Sequence, residues 1–171
     1  MSCESFEWQP IGYLHGGGKY AAHAPRQAAM ADNQGYIELI DHPGLVEGLD
    51  GLSGFAMIWL IFVFDRNLCW KSKVNPPENP TGKKIGVFAT RSPHRPNPVG
   101  ISAVVLDKIE GNKIYIRNFD LLDGTPILDI KPYLPAADAF PGVRAGWRDE
   151  LKECEITLAF AGDTKAKVDF I

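Results

Sequence analysis

The stretch GISAVVLDKIEGNKIYIRNF, residues 100–119, reads as two apolar strands, Gly100–Leu106 and Lys113–Phe119, folded back on each other. Between them, Lys108–Asn112 carries Glu-Gly-Asn, turn chemistry that suits a tight hairpin. The same rhythm runs through the rest of the chain. Glycine (17) and proline (13) make up about a sixth of the 171 residues and separate short apolar runs, which favours many short strands over long helices. Further strands are predicted at Gln9–Leu14, Tyr36–Ile40, Ala56–Phe64, Ile85–Ala89, Glu155–Phe160 and, more weakly, Lys167–Phe170. Only Leu45–Leu52 has helical spacing, and two glycines interrupt it. No period indicates repeats. The expected fold is all-β: an antiparallel sheet closed or nearly closed into a barrel, with long loops and little helix. Closure also hides strand edges that would otherwise pair with other chains.

A chain of 171 residues fits one domain with a real core. Its 45% hydrophobic and 23% charged residues are ordinary for a folded protein. The longest apolar run, Phe55–Phe64, has ten residues, about half of what a membrane-spanning helix needs, so no membrane partner is expected. Met1–Pro10 holds two acids and no apolar stretch, unlike a secretory signal. Cys3, Cys69 and Cys154 lie far apart without a CxxC pair, which argues against a disulfide framework and a structural zinc site. No metal is expected, and a cytoplasmic location is. Net charge is −3, where a protein gripping nucleic acid mainly by phosphates would show a basic excess. Local basic clusters nevertheless occur at Lys71–Lys73, Lys83–Lys84 and Arg91–Arg95.

Two long connections stand out as candidate site walls, His15–Gln34 and Asp123–Trp147, the latter with four prolines and no clear periodicity. The sharpest segment is ATRSPHRPNPVGIS, residues 89–102. Pro93, Pro96 and Pro98 each fix φ and bias the preceding residue toward extended geometry, so the loop is stiff. Yet it displays two guanidiniums, an imidazole, a hydroxyl and an amide. Stiffness of this kind pre-organises polar groups for a ligand. A second segment, DGTPILDIKPYLP (residues 123–135), opens with a tight Asp-Gly-Thr-Pro turn, after which Asp129 and Lys131 share one face of a short strand.

These two segments resemble the TsaA-like, or TrmO, family of tRNA methyltransferases, which carries a near-identical proline-rich loop and the DGTP–LDIKPY stretch. Agreement extends to Pro25-Arg26-Gln27 with Gly35–Leu39 after it, and to Leu49–Leu52 leading into Ile58–Phe62, so that it spans roughly Ile11–Pro135. The resemblance implies a single-sheeted β-barrel that works as a homodimer, binds S-adenosyl-L-methionine and methylates N6 of threonylcarbamoyladenosine at tRNA position 37. Carried over by position, the cofactor pocket would use Pro25, Arg26, Gln27, Asp65, Arg66, Arg91, Ile101, Asp123, Gly124, Thr125 and Pro126. Arg95, Asn97 and Lys131 would face the substrate, and Asp65, His94 or Asp129 would serve catalysis.

The residue chemistry is compatible with that reading. Arginine grips a carboxylate as a bidentate fork, backbone groups of a Gly/Thr turn suit an adenine edge, and an acid near the sulfonium favours binding. Methyl transfer needs in-line alignment, and an N6 nitrogen must also lose a proton, which calls for a general base. No GxGxxG fingerprint follows a strand, so a Rossmann-type cofactor site is not expected. The chain departs from the family at Phe55-Ala56-Met57 and at Asp65, where imidazoles are usual. It also stops soon after the barrel, where many bacterial members carry a further domain. Two alternatives follow: a methyltransferase of the same fold acting on a small or nucleobase-like molecule, and a non-catalytic, dimeric S-adenosylmethionine-binding module.

Overall fold

A computed structural model of the chain describes residues 7–19, 28, 31–67, 69–77, 79 and 82–150. It contains β1 (Gly12–His15), β2 (Gln34–Leu39), β3 (Met57–Val63), β4 (Lys73–Val74), β5 (Ile85–Gly86), β6 (Val99–Glu110), β7 (Lys113–Arg117) and β8 (Pro126–Pro132). Six of these strands close into one antiparallel barrel in the order β1-β2-β7-β6-β3-β8, with β8 returning to β1. The expected closed all-β fold is what forms. Among the described residues, helix is confined to short pieces, α1 (Pro43–Glu47) and α2 (Pro135–Asp138), together with short 3-10 segments.

Strand β6 makes the closure work. Its first half pairs with β3, from Val63↔Val99 to Met57↔Val105. Its pairing with β7 starts at Val105↔Arg117, passes an irregularity between Leu106 and Lys108 and ends at Glu110↔Lys113. A bulge of this kind bends the strand and raises its twist, so one strand can serve two neighbours around a tight cylinder. The predicted hairpin turn at Lys108–Asn112 is present, with Gly111 at φ +58.

Two expectations need correction. The connection Asp123–Trp147 is not one long loop: the short strand expected to carry Asp129 and Lys131 forms as β8, and α2 follows it. The alternation of β8 is broken because the register against β3 shifts between Ile61 and Phe62, which disrupts the two-residue rhythm of the strand. Ile85–Ala89 is a strand only as far as Gly86. Val87–Ala89 turns as a 3-10 helix, and the Thr90 hydroxyl holds it by donating to the Val87 carbonyl at 2.8 Å. The predicted strands Glu155–Phe160 and Lys167–Phe170 lie outside the described residues.

Inside the barrel, period-two alternation places Ile58, Leu60 and Phe62 of β3 against Val104 and Leu106 of β6 and Ile114 and Ile116 of β7. Leu14, Ile37 and Ile127 complete the layer from the other strands. Burying each such side chain is worth about 1.5–3 kcal/mol. Phe119 plugs one end and is held by a two-way clasp: Asn33 Nδ2 donates to its carbonyl at 2.9 Å, while its N–H donates to Asn33 Oδ1 at 3.0 Å. Antiparallel pairing throughout has a geometric consequence. The ends of β1, β3 and β7 and the starts of β2, β6 and β8 meet at this plugged end, called the rim below. The described parts of the connections after β1, β3 and β7 therefore all emerge from one rim.

Candidate functional site

The proline-rich loop and the Asp-Gly-Thr-Pro turn come together at that rim, joined by the residues that follow β3. Arg66 donates from Nη1 to the Lys19 carbonyl at 2.7 Å and from Nη2 to the Asp123 carbonyl, so one guanidinium ties the connection after β1 to the turn before β8. Next to it, Asn67 donates from Nδ2 to the Pro93 carbonyl at 2.7 Å, and the Phe64 N–H donates to the Pro98 carbonyl at 2.8 Å. Phe64, Arg66 and Asn67 thus stitch three segments together.

The turn itself is tightly fixed. Gly124 takes φ +78, a left-handed backbone that a side chain would strain, and its N–H donates to the Leu14 carbonyl at 2.8 Å. Asp123 accepts from the Gly16 N–H at 3.0 Å on Oδ1. Thr125 is buried, while Pro126 starts β8 opposite Tyr13.

Within the proline loop, polar side chains brace the backbone. Ser92 N–H donates to Thr90 Oγ1 at 3.2 Å, and His94 N–H donates to Ser92 Oγ at 3.3 Å. Arg95 folds back, with Nη1 donating to the Thr90 carbonyl at 2.8 Å and to the Val87 carbonyl at 3.3 Å, and its guanidinium lies 5.7 Å from the Phe88 ring centre. A guanidinium carries five N–H donors, so Arg95 keeps others for a ligand. The His94 ring sits with Nδ1 3.1 Å from the Cys69 carbonyl. Arg91, Asn97, Asp65 and Arg66 are all solvent-exposed at this end.

A residue that motif reading passed over lies at the centre. Asp120 is largely buried among rim residues and accepts the Ser102 hydroxyl at 2.5 Å. Burial pushes its carboxyl above the usual range, against the opposing effects of Ser102, its own N–H, nearby Arg91 and the Ala28 N–H. Its signal in the sequence is a carboxylate set between two residues that are wholly interior, Phe119 and Leu121.

The other predicted residues sit elsewhere. Ile101, Asp129 and Lys131 project from the outer wall: Ile61 of β3 stands between Ile101 and Asp129 in register, and Trp59 stands opposite Lys131. Lys131 Nζ pairs with Asp129 Oδ2 at 2.7 Å. Around them Val63, Val99, Ile61 and Ile101 make the wall apolar, with Val99 42% and Ile101 49% exposed. Met57, one of the departures noted in the sequence, starts β3 at the end remote from the rim, about 20 Å along the strand from Val63. Within this chain that departure lies away from the rim. Pro25, Arg26 and Gln27 lie outside the described residues.

An apolar cleft of about 450 Å³ opens at the opposite end of the barrel between α1 and β8, lined by Leu45, Leu49, Leu52, Phe55 and Ile130 among others. It offers acids but no lysine or arginine to meet an anionic ligand, so the chemistry points to the rim instead. Among the described residues, no group of three His, Cys, Asp or Glu is placed to hold a metal. No helix among them is long and apolar enough to cross a membrane.

Residues 14–139 match the model of the tRNA-methyltransferase O N-terminal domain. This chain belongs to that family. The tRNA (adenine(37)-N6)-methyltransferase of Escherichia coli is 33% identical over 171 residues, covering 96% of this chain and 73% of that protein. A Pseudomonas aeruginosa relative, RcsF, provisionally named an S-adenosylmethionine-dependent methyltransferase, is 43% identical over 143 residues. That match covers 82% of this chain but only 62% of RcsF, so the chain spans about three fifths of that relative. A crystal structure of TrmO from Pseudomonas aeruginosa superposes with a TM-score of 0.71 at 38% identity, covering 84% of this chain and 62% of that one.

Proposed function

We propose that this chain is an S-adenosyl-L-methionine-dependent methyltransferase acting on N6 of adenosine in tRNA, with threonylcarbamoyladenosine at position 37 as its substrate. The observation carrying this reading is the convergence at one rim of Arg66, Arg91 and the Asp-Gly-Thr-Pro turn. Family membership supplies the reaction class.

The donor set fits the cofactor's chemistry. Arg91 offers an exposed guanidinium for a carboxylate, and the exposed Gly124, with no side chain, lets a ligand approach the turn closely. Asp65 and Asp123 supply negative charge for a sulfonium. When bound, the cofactor supplies an activated methyl group; the protein's share is alignment and removal of the N6 proton. In this reading Asp65 or His94 takes that proton, while Arg95 and Asn97 orient the nucleoside.

Asp129, Lys131 and Ile101 enter this scheme through a homodimer. Their outer wall is apolar where Val99 and Ile101 are exposed, and a second copy whose rim rested there would bring Asp129 and Lys131 to a composite site. A cytoplasmic location follows from a tRNA substrate. The test is titration calorimetry with S-adenosylmethionine, followed by nucleoside mass spectrometry of tRNA incubated with the full chain. Binding plus a 14-Da gain on threonylcarbamoyladenosine is expected. Binding without transfer to tRNA would favour a small-molecule acceptor, and no binding would overturn the reading.

A further inference from the structure

The chain's charge is distributed very unevenly. Residues 64–98 hold seven of its eighteen lysines and arginines but two of its twenty-one acids, Asp65 and Glu78, so this excursion carries +5 while the rest carries −8. The net −3 of the whole chain conceals a strongly basic lobe. In the fold the described part of this lobe leaves the rim at the end of β3, forms the small β4–β5 ribbon and returns through the proline loop to β6. The ribbon is tied to the loop, since the Lys71 N–H donates to the His94 carbonyl at 3.1 Å and the Val87 N–H donates to the Ser72 carbonyl at 3.0 Å.

Lys71, Lys73 and Lys84 are exposed on this ribbon and make no ion pair among the described residues. Two aromatic rings stand out beside them, Trp70 at 58% exposure and Phe88 at 76%. Exposed cations interleaved with exposed rings are what a single-stranded nucleic acid requires: ammonium groups for phosphates and ring faces for unstacked bases. A partner recognised by charge alone would not need the rings.

We propose that the β4–β5 ribbon is an RNA-gripping arm, holding the phosphates and unstacked bases that flank the nucleotide delivered to the rim. The proposal rests on the tRNA reading above for the identity of the RNA, but not for the existence of the arm. It also reconciles an acidic protein with a polyanionic partner, because the acidic remainder would repel the RNA from other faces and orient it on this one.

The test compares the full chain with Lys71→Ala/Lys73→Ala/Lys84→Ala, and with Lys108→Ala/Lys113→Ala/Arg117→Ala on the outer wall of β6 and β7. Filter binding of an unmodified tRNA transcript is measured across salt concentrations, with S-adenosylmethionine affinity measured separately by calorimetry. Each phosphate contact contributes about 0.7–0.9 to the slope of log affinity against log salt, so the ribbon variant is expected to flatten it by about 2–3. Its tRNA affinity at moderate salt should fall roughly tenfold or more with cofactor affinity unchanged, while the outer-wall variant changes little. Equal slopes for wild type and ribbon variant, as an acidic protein partner would leave them, would overturn the arm; so would an equal loss in the outer-wall variant or no tRNA binding by wild type. If cofactor binding fails but the ribbon lysines still govern tRNA affinity, the methyltransferase reading falls and the arm stands.

Discussion

Ser102 and Asp120 are joined by a hydroxyl-to-carboxylate hydrogen bond of 2.5 Å that links the inner face of β6 to the connection following β7. Ser102 is one of the few polar residues buried inside this apolar cylinder, only 4% exposed, and its hydroxyl is satisfied by an acid that also faces Arg91 and the Ala28 N–H. The pair anchors the rim from within. A buried hydroxyl left without its acceptor costs about 1–3 kcal/mol, so Ser102→Ala should be better tolerated than Asp120→Ala, which strands the serine.

Asp120 should also leave a mark on the pH dependence of stability. Burial is the largest influence on it and raises its pKa, so the folded state holds that proton more tightly than the unfolded chain. The stability contributed by this group is complete below the unfolded value near pH 4 and is lost as pH rises through the higher folded value. Asp120→Asn keeps an acceptor for Ser102 but cannot ionise. Denaturant unfolding between about pH 4 and 7 should show wild type losing stability relative to Asp120→Asn as pH rises. A wild type that gains on the variant over that window would mean the carboxylate is favoured when charged.

Arg66 tests the stitching of the rim. Its guanidinium bridges the Lys19 and Asp123 carbonyls from an exposed position, so its removal should spare the barrel and loosen the loops. A charged hydrogen bond is worth about 1.5–3 kcal/mol where it counts, which corresponds to S-adenosylmethionine affinity falling roughly tenfold to a hundredfold in Arg66→Ala. Calorimetry gives the affinity and thermal melting the control. A large drop in melting temperature with affinity intact would make Arg66 a structural residue only.

Much of this arrangement is legible in the sequence, for a physical reason. The core strands β3, β6 and β7 announce themselves because each has one buried face, so their apolar residues alternate or cluster between glycines and prolines. Strand β8 hides because a register shift breaks its alternation and prolines bound it, although its Asp129–Lys131 pairing on one face is readable. Strand β4 is two residues long and has no period to detect. At the site, motif reading finds the stiff loop and the turn but not Asp120, whose importance depends on what packs around it. Nor can spacing separate Ile101, Asp129 and Lys131 on the outer wall from the rim groups, since the closed register decides which face each one takes.

Gly100 probes how tightly the inner face is packed beneath the rim. A side chain there would run into the Phe62 ring, which lies opposite it in register and is itself only 4% exposed. Overpacking of this kind costs about 1–3 kcal/mol. Gly100→Ala should therefore lower the denaturation midpoint without altering the m-value, and Phe62→Leu in the same chain should recover part of the loss, a coupling that the two single variants would not predict by addition. Strict additivity would show that the ring moves aside without strain.

A composite site makes a prediction that a rim-only site does not. If the rim of one copy works with Asp129 on the outer wall of another, Arg91→Ala and Asp129→Ala are each inactive alone, yet their mixture contains heterodimers with one intact site. Random exchange of subunits would restore about a quarter of the wild-type sites, since half the dimers are mixed and each mixed dimer has one working site. Ile101→Glu supplies the control: a charge on the exposed apolar wall should give monomers by sedimentation, change folding stability by no more than about 0.5 kcal/mol, and abolish the complementation. Two inactive variants that stay inactive when mixed, in a protein that sediments as a dimer, would confine the working residues to a single rim and leave the Asp129–Lys131 pair as a surface ion pair.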